Sequence, residues 1–520
     1  MAGRAAVIVV GGGPVGLTAA LLLARAGVAS VVCEAAPRRE AVGSRSICLQ
    51  RDVLDVLQRC GGIGRRIADA GVQWTIGRTY YREHEVLTIS FPEEPAAAFP
   101  PFTNLGQSAV ERMLDERVAT EPLVRLRWGA EVVALEQDAG GVAVRLAGGE
   151  ELRGPYCVAA DGARSTVRGL LGLPFGGQSF PDQFLIADVR ADLPFAAQRR
   201  FFFDPAWNPG RQVLVHPQPG GVWRIDWQVP ADFDLRAERD AGGLDGGGLD
   251  ARIRTIVGTA RYELVWVSAY RFHQRRVPRM QVGRVLLAGD AAHVMSPFGA
   301  RGLNSGIQDA ENAAWKIAYL LAGWGGPGLL DSYDIERGAA AARNLEITGE
   351  TMRFLVPQTP ADRRRRESVL ARAVHDPAAR AQIDSGKLAE PHWYLDSPLT
   401  TPAPAAEIAA FPTAPGVARP PLPGVLCPDT VLADGSRLRP LFGPHFTALV
   451  AGAGQAEPAE PADPVGLVAP AGGPPLRVLR ADPVGLGRHG ITLVRPDGHL
   501  AAVLPAPDAL PAALRRATGW

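Results

Sequence analysis

The first 34 residues constrain the fold of this chain more than any other part of it. Residues 5–10 are apolar throughout, as in a parallel strand that is buried on both faces. Residues 11–16 read GGGPVG, and a helical pattern then runs to about Ala26, with Gly27 as its C-terminal stop. A second apolar run over residues 30–33 follows. This order of elements predicts an α/β fold with a Rossmann-like domain that binds a dinucleotide.

The glycine turn and the acid after the second strand have separate roles in this prediction. The glycines permit a tight turn, a close approach of the backbone to a pyrophosphate, and close packing of helix on strand. Glu34 can accept hydrogen bonds from ribose hydroxyls, and its charge disfavours a 2′-phosphate. The alternative is an ordinary glycine-rich turn. The residues assigned to this end of the cofactor are Gly11, Gly13, Pro14, Val15, Gly16, Glu34 and Ala35.

A second informative stretch lies between residues 285 and 309. Residues 285–293 read VLLAGDAAH and residues 297–304 read PFGARGLN, so a short apolar strand ends in Gly-Asp and a helix opens at about Gly302. A carboxylate suits a sugar-alcohol chain, and a helix N-terminus suits a ring that becomes anionic when it is reduced. These features predict the flavin end of an FAD site, formed by Asp290, Gly299, Gly302, Leu303 and Asn304.

A third segment, residues 158–168 (VAADGARSTVR), joins the other two. With the three motifs in this order, the chain resembles the class A flavoprotein aromatic hydroxylases, which are single-component FAD enzymes related to para-hydroxybenzoate and phenol hydroxylases. The resemblance implies that Asp161 and Gly162 serve both FAD and the nicotinamide coenzyme. It covers about residues 4–395, and it is most specific for hydroxyphenylpropionate hydroxylases and for polyketide- or antibiotic-tailoring members.

The resemblance also implies an activity. The expected enzyme is an FAD-dependent monooxygenase that uses NADPH or NADH and O₂ to hydroxylate a phenolic or polyketide-like aromatic through a flavin C4a-hydroperoxide, which survives where water is excluded. By resemblance, Pro297 lies where the substrate and the peroxide meet, and Arg45 stands on a mobile loop near the flavin ring. Arg45 and Pro297 are therefore the candidate catalytic residues, both also in contact with the cofactor. Gln107, one helical turn before Glu111, is implied as a further flavin contact.

Two features of the expected site stay open. Residues 300–301 are Ala-Arg where many relatives have Gly-Gln, so Arg301 is expected either to act on an acidic substrate or the flavin, or to be paired on the surface. A base poised near neutral pH would help to deprotonate a phenol. Its candidates, by residue type alone, are His216, Asp226, Tyr270 and His273, and each has a structural interpretation as well.

Three other activities are alternatives to aromatic hydroxylation. A Baeyer–Villiger or antibiotic-inactivating oxygenation remains open, because the same peroxyflavin can attack a carbonyl. A halogenase needs a Trp-x-Trp-x-Ile-Pro run, which residues 223–227 (WRIDW) do not provide. A non-catalytic FAD-binding partner is a further alternative, although the glycines and acids of every motif are intact.

The remaining sequence predicts the domain layout. We expect a discontinuous FAD-binding domain (1–174 and 275–395), an inserted antiparallel-sheet substrate domain (175–274) and a Pro/Ala-rich linker (396–424). By resemblance, residues 425–520 form a thioredoxin-like C-terminal domain. This last domain has no redox Cys-x-x-Cys, so a packing or oligomerisation role is expected, with a homodimer as one outcome.

Composition limits the partners and the compartment. The formal net charge of +1 over 520 residues argues against a nucleic-acid partner. Five scattered cysteines suggest reduced thiols in a cytoplasmic protein rather than a disulfide frame or a metal site. The apolar stretch at residues 15–24 is too short to cross a membrane.

Overall fold

The computed structural model describes residues 6–40, 46–91, 97–241, 247–432, 434–450, 472–481 and 490–520. The strands in these ranges are β1 (Val7–Val10), β2 (Ser30–Cys33), β3 (Cys48–Gln50), β4 (Val72–Trp74), β5 (Ile76–Tyr81), β6 (His84–Ser90), β7 (Phe102–Asn104), β8 (Val124–Arg127), β9 (Val132–Gln137), β10 (Val142–Leu146), β11 (Glu151–Gly154), β12 (Cys157–Ala159), β13 (Gly176–Ala191), β14 (Arg199–Phe203), β15 (Gln212–Gln218), β16 (Val222–Val229), β17 (Tyr262–Arg276), β18 (Gln281–Val282), β19 (Val285–Leu287), β20 (His293–Val294), β21 (Phe446–Val450), β22 (Leu476–Arg480), β23 (Ile491–Val494) and β24 (Leu500–Leu504). The helices are α1 (Pro14–Arg25), α2 (Arg51–Arg59), α3 (Ile63–Ala70), α4 (Gln107–Ala119), α5 (Thr166–Leu170), α6 (Leu235–Asp240), α7 (Gly248–Val257), α8 (Arg301–Leu321), α9 (Gly328–Leu355), α10 (Pro360–Ala373), α11 (Pro377–Arg380), α12 (Ala405–Ala409) and α13 (Leu510–Ala517).

A six-stranded sheet carries the nucleotide-binding motifs, in the order β18-β19-β12-β1-β2-β8. Five of its strands run parallel, and only β18 is antiparallel to its neighbour. All four residues of β1 are buried, as expected for a strand covered on both faces. The sheet combines the N-terminal motif, the strand before Asp161 and the strand before Asp290, so a mixed α/β fold is confirmed and the three motifs meet at one sheet edge.

An eight-stranded sheet covers this edge, in the order β20-β17-β13-β16-β15-β14-β5-β6. Strand β16 alternates as its sequence predicts: Trp223, Ile225 and Trp227 pack in a core with helix α7, while Arg224 and Asp226 face the other way, into a cavity. Both tryptophans therefore belong to the core and do not line the cavity. Strands β5 and β6 precede residue 174, so this sheet draws on more of the chain than residues 175–274.

The last part of the chain forms a four-stranded sheet in the order β22-β21-β23-β24. A fully buried ionic cluster joins it to the long helices α8 and α9. Arg495 pairs with Glu336 and Asp497, each at 2.5 Å, and Lys316 pairs with Glu336 at 2.7 Å. Two cations face two anions, so the charges compensate one another away from water. The segment at residues 495–498 is thus a docking contact to the FAD-binding region.

The cysteine thiols lie in the interior of the protein. All five cysteines lie in described ranges, and all are buried and unpaired. Cys33 and Cys157 lie in the buried strands β2 and β12. Within the described ranges, no helix is long and apolar enough to cross a membrane. Among the same residues, no group of His, Cys, Asp or Glu side chains is arranged to hold a metal ion.

Candidate functional site

The turn between β1 and α1 needs glycine at two positions for packing. Gly11 has φ +103°, and a Cβ there would lie 2.3 Å from the Ala160 carbonyl oxygen. A Cβ on Gly16 would lie 2.0 Å from the Gly11 carbonyl oxygen. Gly13 differs, because its φ of −74° suits any residue and no atom lies within 4 Å of a Cβ built there. The open space above Gly13 is therefore a place where a ligand can approach the backbone closely.

The acid after β2 braces this turn. The Glu34 carboxylate accepts hydrogen bonds from the Gly12 amide at 2.7 Å and the Ala36 amide at 2.9 Å. The Arg39 guanidinium donates to the Gly12 carbonyl oxygen at 2.7 Å and pairs with Asp115. Sequence reasoning missed Arg39, which lies outside the dinucleotide motif. The backbone of the turn is thus bound by the Glu34 carboxylate at the Gly12 amide and by the Arg39 guanidinium at the Gly12 carbonyl.

The Asp-Gly motif after β12 has a structural role in this state. The Asp161 carboxylate accepts hydrogen bonds from the Ser165 hydroxyl at 2.6 Å and from the Val167 amide at 3.0 Å. Gly162, with φ +80°, lines the cavity. Arg168 donates to the carbonyl oxygen of Ala291 at 2.9 Å and so ties this motif to the next one. Contact between Asp161 and a cofactor stays a prediction.

A buried carboxylate, that of Asp309, holds the Gly289–Asp290 turn in place. Asp309 accepts a hydrogen bond from the Gly289 amide at 3.0 Å, lies 2.7 Å from the Nε2 of His293, and pairs with Arg337 at 2.6 Å. Burial alone would raise the pKa of Asp309, but Arg337 and His293 hold it at about 2. The turn therefore presents the exposed side chain of Asp290 to the cavity.

The loop that leads into α8 bends sharply against the segment around Lys387. Gly299 has φ +91°, and a Cβ there would lie 2.2 Å from the Lys387 carbonyl oxygen. Ala300 adopts a left-handed conformation, and α8 then begins at Arg301. Gly302 and Leu303 line the cavity. The Asn304 side chain instead donates to the Cys48 carbonyl oxygen at 3.0 Å and accepts from the Gln50 amide at 3.1 Å.

The interpretation of Arg301 as a surface pair is wrong, whereas an action on the substrate or the flavin stays a prediction. The residue is only 2% exposed, so it is not a surface pair, and it does not line the cavity. Its guanidinium donates to the carbonyl oxygens of Lys387 at 3.2 Å and Leu388 at 2.8 Å, and to the Asn344 side chain at 2.7 Å. Burial lowers its pKa to about 10, so it remains charged. Arg301 therefore fastens the segment at residues 387–388 to α8.

Replacing Arg301 by methionine should lower stability more than it alters ligand binding. The change leaves two carbonyl oxygens without their donor, which costs about 1–3 kcal/mol in the free energy of unfolding. Chemical denaturation of this variant and of R236M, which changes an exposed arginine, measures the difference. Unchanged stability combined with altered flavin or substrate affinity would return Arg301 to the ligand site.

One cavity of about 380 Å³ connects these motifs with the eight-stranded sheet. A volume of this size is in the range of small-molecule and cofactor sites. The predicted residues that line it are Gly13, Pro14, Val15, Gln107, Gly162, Asp290, Pro297, Gly299, Gly302 and Leu303. The predicted residues that lie outside its lining are Gly11, Gly16, Glu34, Ala35, Asp161 and Asn304. Arg45 falls outside the described residues.

The far end of the cavity is aromatic with a polar patch. Phe184 and Phe272 stack with ring centroids 4.5 Å apart, and Phe298 meets Phe184 edge-on at 5.3 Å. The other lining residues at this end include Trp74, Ile186, Arg199, Leu214, His216, Arg224, Asp226 and Tyr270. His273 does not line the cavity and lies with its Nδ1 2.8 Å from the Ser179 hydroxyl. It is therefore the weakest of the four candidate bases.

The residues present fit FAD. The space above Gly13 and Gly302 is open, so backbone can approach a large planar or phosphorylated ligand. The N-terminus of α8, a helix of 21 residues, opens at the cavity and offers partial positive charge. Asp290 offers a carboxylate between these two ends. The open turn at Gly13, the Asp290 carboxylate and the α8 N-terminus thus suit, in this order, the phosphates, the ribityl chain and the flavin ring of FAD.

Comparison with known proteins gives the same assignment. A family profile described as "FAD binding domain" matches residues 4–348. The 3-(3-hydroxy-phenyl)propionate/3-hydroxycinnamic acid hydroxylase of Mycobacterium sp. (strain JLS) is 31% identical over 68% of this chain and 60% of its own length. The rifampicin monooxygenase of Streptomyces venezuelae is 35% identical over 66% of this chain and 70% of its own. The chain thus spans less than two thirds of the first of these relatives.

A solved structure extends the likeness to nearly the whole chain. The flavin-dependent monooxygenase PieE, in complex with FAD and substrate, is 27% identical and covers 99% of both chains, with a TM-score of 0.82. The C-terminal sheet is therefore part of a shared architecture. The family predicted from the three sequence motifs is confirmed.

Proposed function

This chain belongs to the FAD-binding domain family, and we propose on that premise that it is an FAD-dependent monooxygenase. In this proposal it uses NADPH or NADH and O₂ to hydroxylate a phenolic or polyketide-like aromatic. The observation that carries the proposal is the continuity of the cavity. It runs from Gly13 past Asp290 and Pro297 to a chamber walled by aromatic rings, so a cofactor and a ring substrate can meet inside it.

Bound FAD would supply the electron transfer and the activation of O₂. The chain's own residues would hold and shelter these groups. The N-terminus of α8 would place positive potential beside the flavin ring when the ring is anionic. Phe184, Phe272 and Phe298 would exclude water from the substrate end. Asp290 would accept hydrogen bonds from the ribityl hydroxyls, and Pro297 would border both ligands.

The proposed domain layout assigns separate roles to separate parts of the chain. We propose that residues 1–174 and 275–395 form the FAD-binding domain and residues 175–274 the main part of the substrate domain. Residues 396–424 would link these to a thioredoxin-like domain at residues 425–520, whose role would be packing or dimer formation. The buried Arg495–Glu336 contact supports the packing role. The five buried, unpaired cysteines support a reducing, cytoplasmic setting.

The first experiment is an absorbance spectrum of the purified protein, followed by NADPH and NADH oxidation with and without a panel of phenolic and polycyclic compounds. The proposal expects a flavin spectrum and substrate-stimulated oxidation. A flavin spectrum without oxidation under any condition would favour a non-catalytic FAD-binding partner. Absence of flavin, even after reconstitution with FAD, would contradict the proposal at its first step.

A further inference from the structure

Strand register gathers four polar side chains on the cavity face of the eight-stranded sheet. Asp226 on β16 lies opposite Leu214 on β15, and Arg224 lies opposite His216. Asp188 on β13 lies opposite Arg224 from the other side. Residues two apart on a strand share a face, so His216, Arg224 and Asp226 all point the same way, and all three line the cavity.

Arg224 and Asp188 form hydrogen bonds with each other, whereas Asp226 and His216 each have a polar atom without a hydrogen-bond partner in the part of the chain that the structure describes. The Arg224 guanidinium forms a two-pronged contact with the Asp188 carboxylate at 2.8 and 2.7 Å, and Gln218 donates to the same carboxylate at 2.8 Å. Asp188 is therefore fully engaged. By contrast, Oδ1 of Asp226 and Nδ1 of His216 are buried and have no hydrogen-bond partner among the described residues. Buried polar atoms without partners are rare in folded proteins.

The charges that face Asp226 suit a proton acceptor. Burial raises the pKa of the Asp226 carboxyl to about 7, and Asp188 adds to this effect, while Arg224 and Arg199 oppose it. Burial lowers the pKa of Arg199 to about 10, so this neighbour stays cationic at neutral pH. Burial together with Arg199 and Arg224 holds the pKa of His216 well below its usual range. At pH 7 the imidazole is thus neutral and the carboxyl is poised between its two forms.

We propose that Asp226 is the catalytic base, which binds the ring hydroxyl of the aromatic substrate and takes its proton. The substrate O–H bond breaks, the proton bonds to the Asp226 carboxylate, and the negative charge passes to the ring oxygen. Arg199 and Arg224 stabilise that charge, and the neutral His216 completes the polar end of the subsite. The inference rests on the proposed function, since a deprotonated phenol is more readily attacked by an electrophilic oxygen.

The other candidates fit this role less well. His216 is held neutral by burial and by the two arginines, and it is therefore a weak base. Tyr270 also lines the cavity, but its hydroxyl is a phenol like that of the substrate, so proton transfer between the two has little driving force. His273 lies outside the cavity lining. Asp226 alone combines an unpartnered buried oxygen with a position in the aromatic chamber.

The test compares two probes that differ only at the hydroxyl, 1-naphthol and 1-methoxynaphthalene. Equilibrium dialysis gives their affinities for the flavin-loaded wild type, for D226N and for D192N, which changes an exposed aspartate beside the same sheet. At pH 8 the wild type and D192N should prefer 1-naphthol by about tenfold or more, because the ionised carboxylate accepts a hydrogen bond that the ether cannot donate. In D226N the preference should fall to about threefold or less, because a neutral amide is a weaker acceptor.

The pH dependence adds a second readout. Protonated Asp226 can donate to either probe, whereas the ionised form accepts only from the hydroxyl. The preference of the wild type for 1-naphthol should therefore rise between about pH 6 and pH 8, around the pKa of about 7, and D226N should show no such rise. Equal binding of the two probes by the wild type, or an undiminished preference in D226N, would overturn the inference.

Dialysis does not require turnover, so the two proposals can fail separately. A hydroxyl preference that depends on Asp226, in a protein that does not oxidise NADPH with any aromatic compound, would sustain the subsite and contradict the monooxygenase. Substrate-stimulated oxidation that D226N retains with the same pH profile would sustain the monooxygenase and contradict the base.

Discussion

Replacing Gly13 by valine should abolish FAD binding while the polypeptide remains folded. Gly13 has an ordinary φ and open space around a built Cβ, so a β-carbon there strains neither the backbone nor a neighbour. The valine side chain would fill the space in which a pyrophosphate approaches the turn. We expect the Kd for FAD to rise by at least about a hundredfold, or about 3 kcal/mol, as measured by titration of the apoprotein with FAD.

A matched variant separates this effect from a general cost of losing glycine. Gly148 lies in an exposed turn, also with open space around a built Cβ, and G148V should retain FAD affinity. Circular dichroism of both variants should match the wild type. Wild-type affinity for FAD in G13V would show that the cofactor does not lie against this turn and would displace the phosphate site from the N-terminal motif.

Replacing Asp309 by asparagine should destabilise the protein strongly and weaken its hold on the cofactor. Asp309 is fully buried, and its carboxylate binds Arg337, His293 and the amide of Gly289. The amide side chain cannot compensate the Arg337 charge, so we expect a loss of about 3–5 kcal/mol in the free energy of unfolding. The turn that carries Asp290 also loses its anchor. Denaturant unfolding and flavin retention after gel filtration measure the two effects.

The free energy of unfolding should fall at low pH, because protonation of Asp309 removes its ionic contacts. The pKa of Asp309 lies at about 2 in the folded protein, below the ordinary value of 3.8. Its contribution to stability is therefore present above about pH 4 and is lost as the pH falls towards 2. D309N should lose that part of the acid sensitivity, whereas D232N, at an exposed position, should keep it. Wild-type stability in D309N at neutral pH would show that the buried cluster does not support the turn.

The parts of the site that depend on local sequence could be predicted. Gly13, Asp290 and Gly302 each stand where a strand or a loop gives way to a helix or turn, and all three line the cavity. The alternation of apolar and polar residues along β16 likewise indicates which of its residues share a face. Local pattern was sufficient here because glycine turns and strand periodicity are set by backbone geometry.

The parts that depend on packing between distant segments could not be predicted. Arg301 stands in the flavin loop by sequence, but its side chain turns to carbonyl groups 86 and 87 residues away. Strand β13 supplies Asp188 to Arg224, and Oδ1 of the nearby Asp226 has no hydrogen-bond partner among the described residues. These contacts depend on which segments become neighbours in the fold, and the sequence pattern of a single strand or loop does not predict that.

The most direct test of the central claim is isotopic labelling of the product. The flavin-loaded protein is incubated with NADPH, ¹⁸O₂ and an aromatic compound that stimulates NADPH oxidation, and the product is analysed by mass spectrometry. The account predicts a product that carries one oxygen atom derived from ¹⁸O₂. NADPH consumption that yields only hydrogen peroxide with every compound tested, or a product oxygen that derives from water, would contradict it.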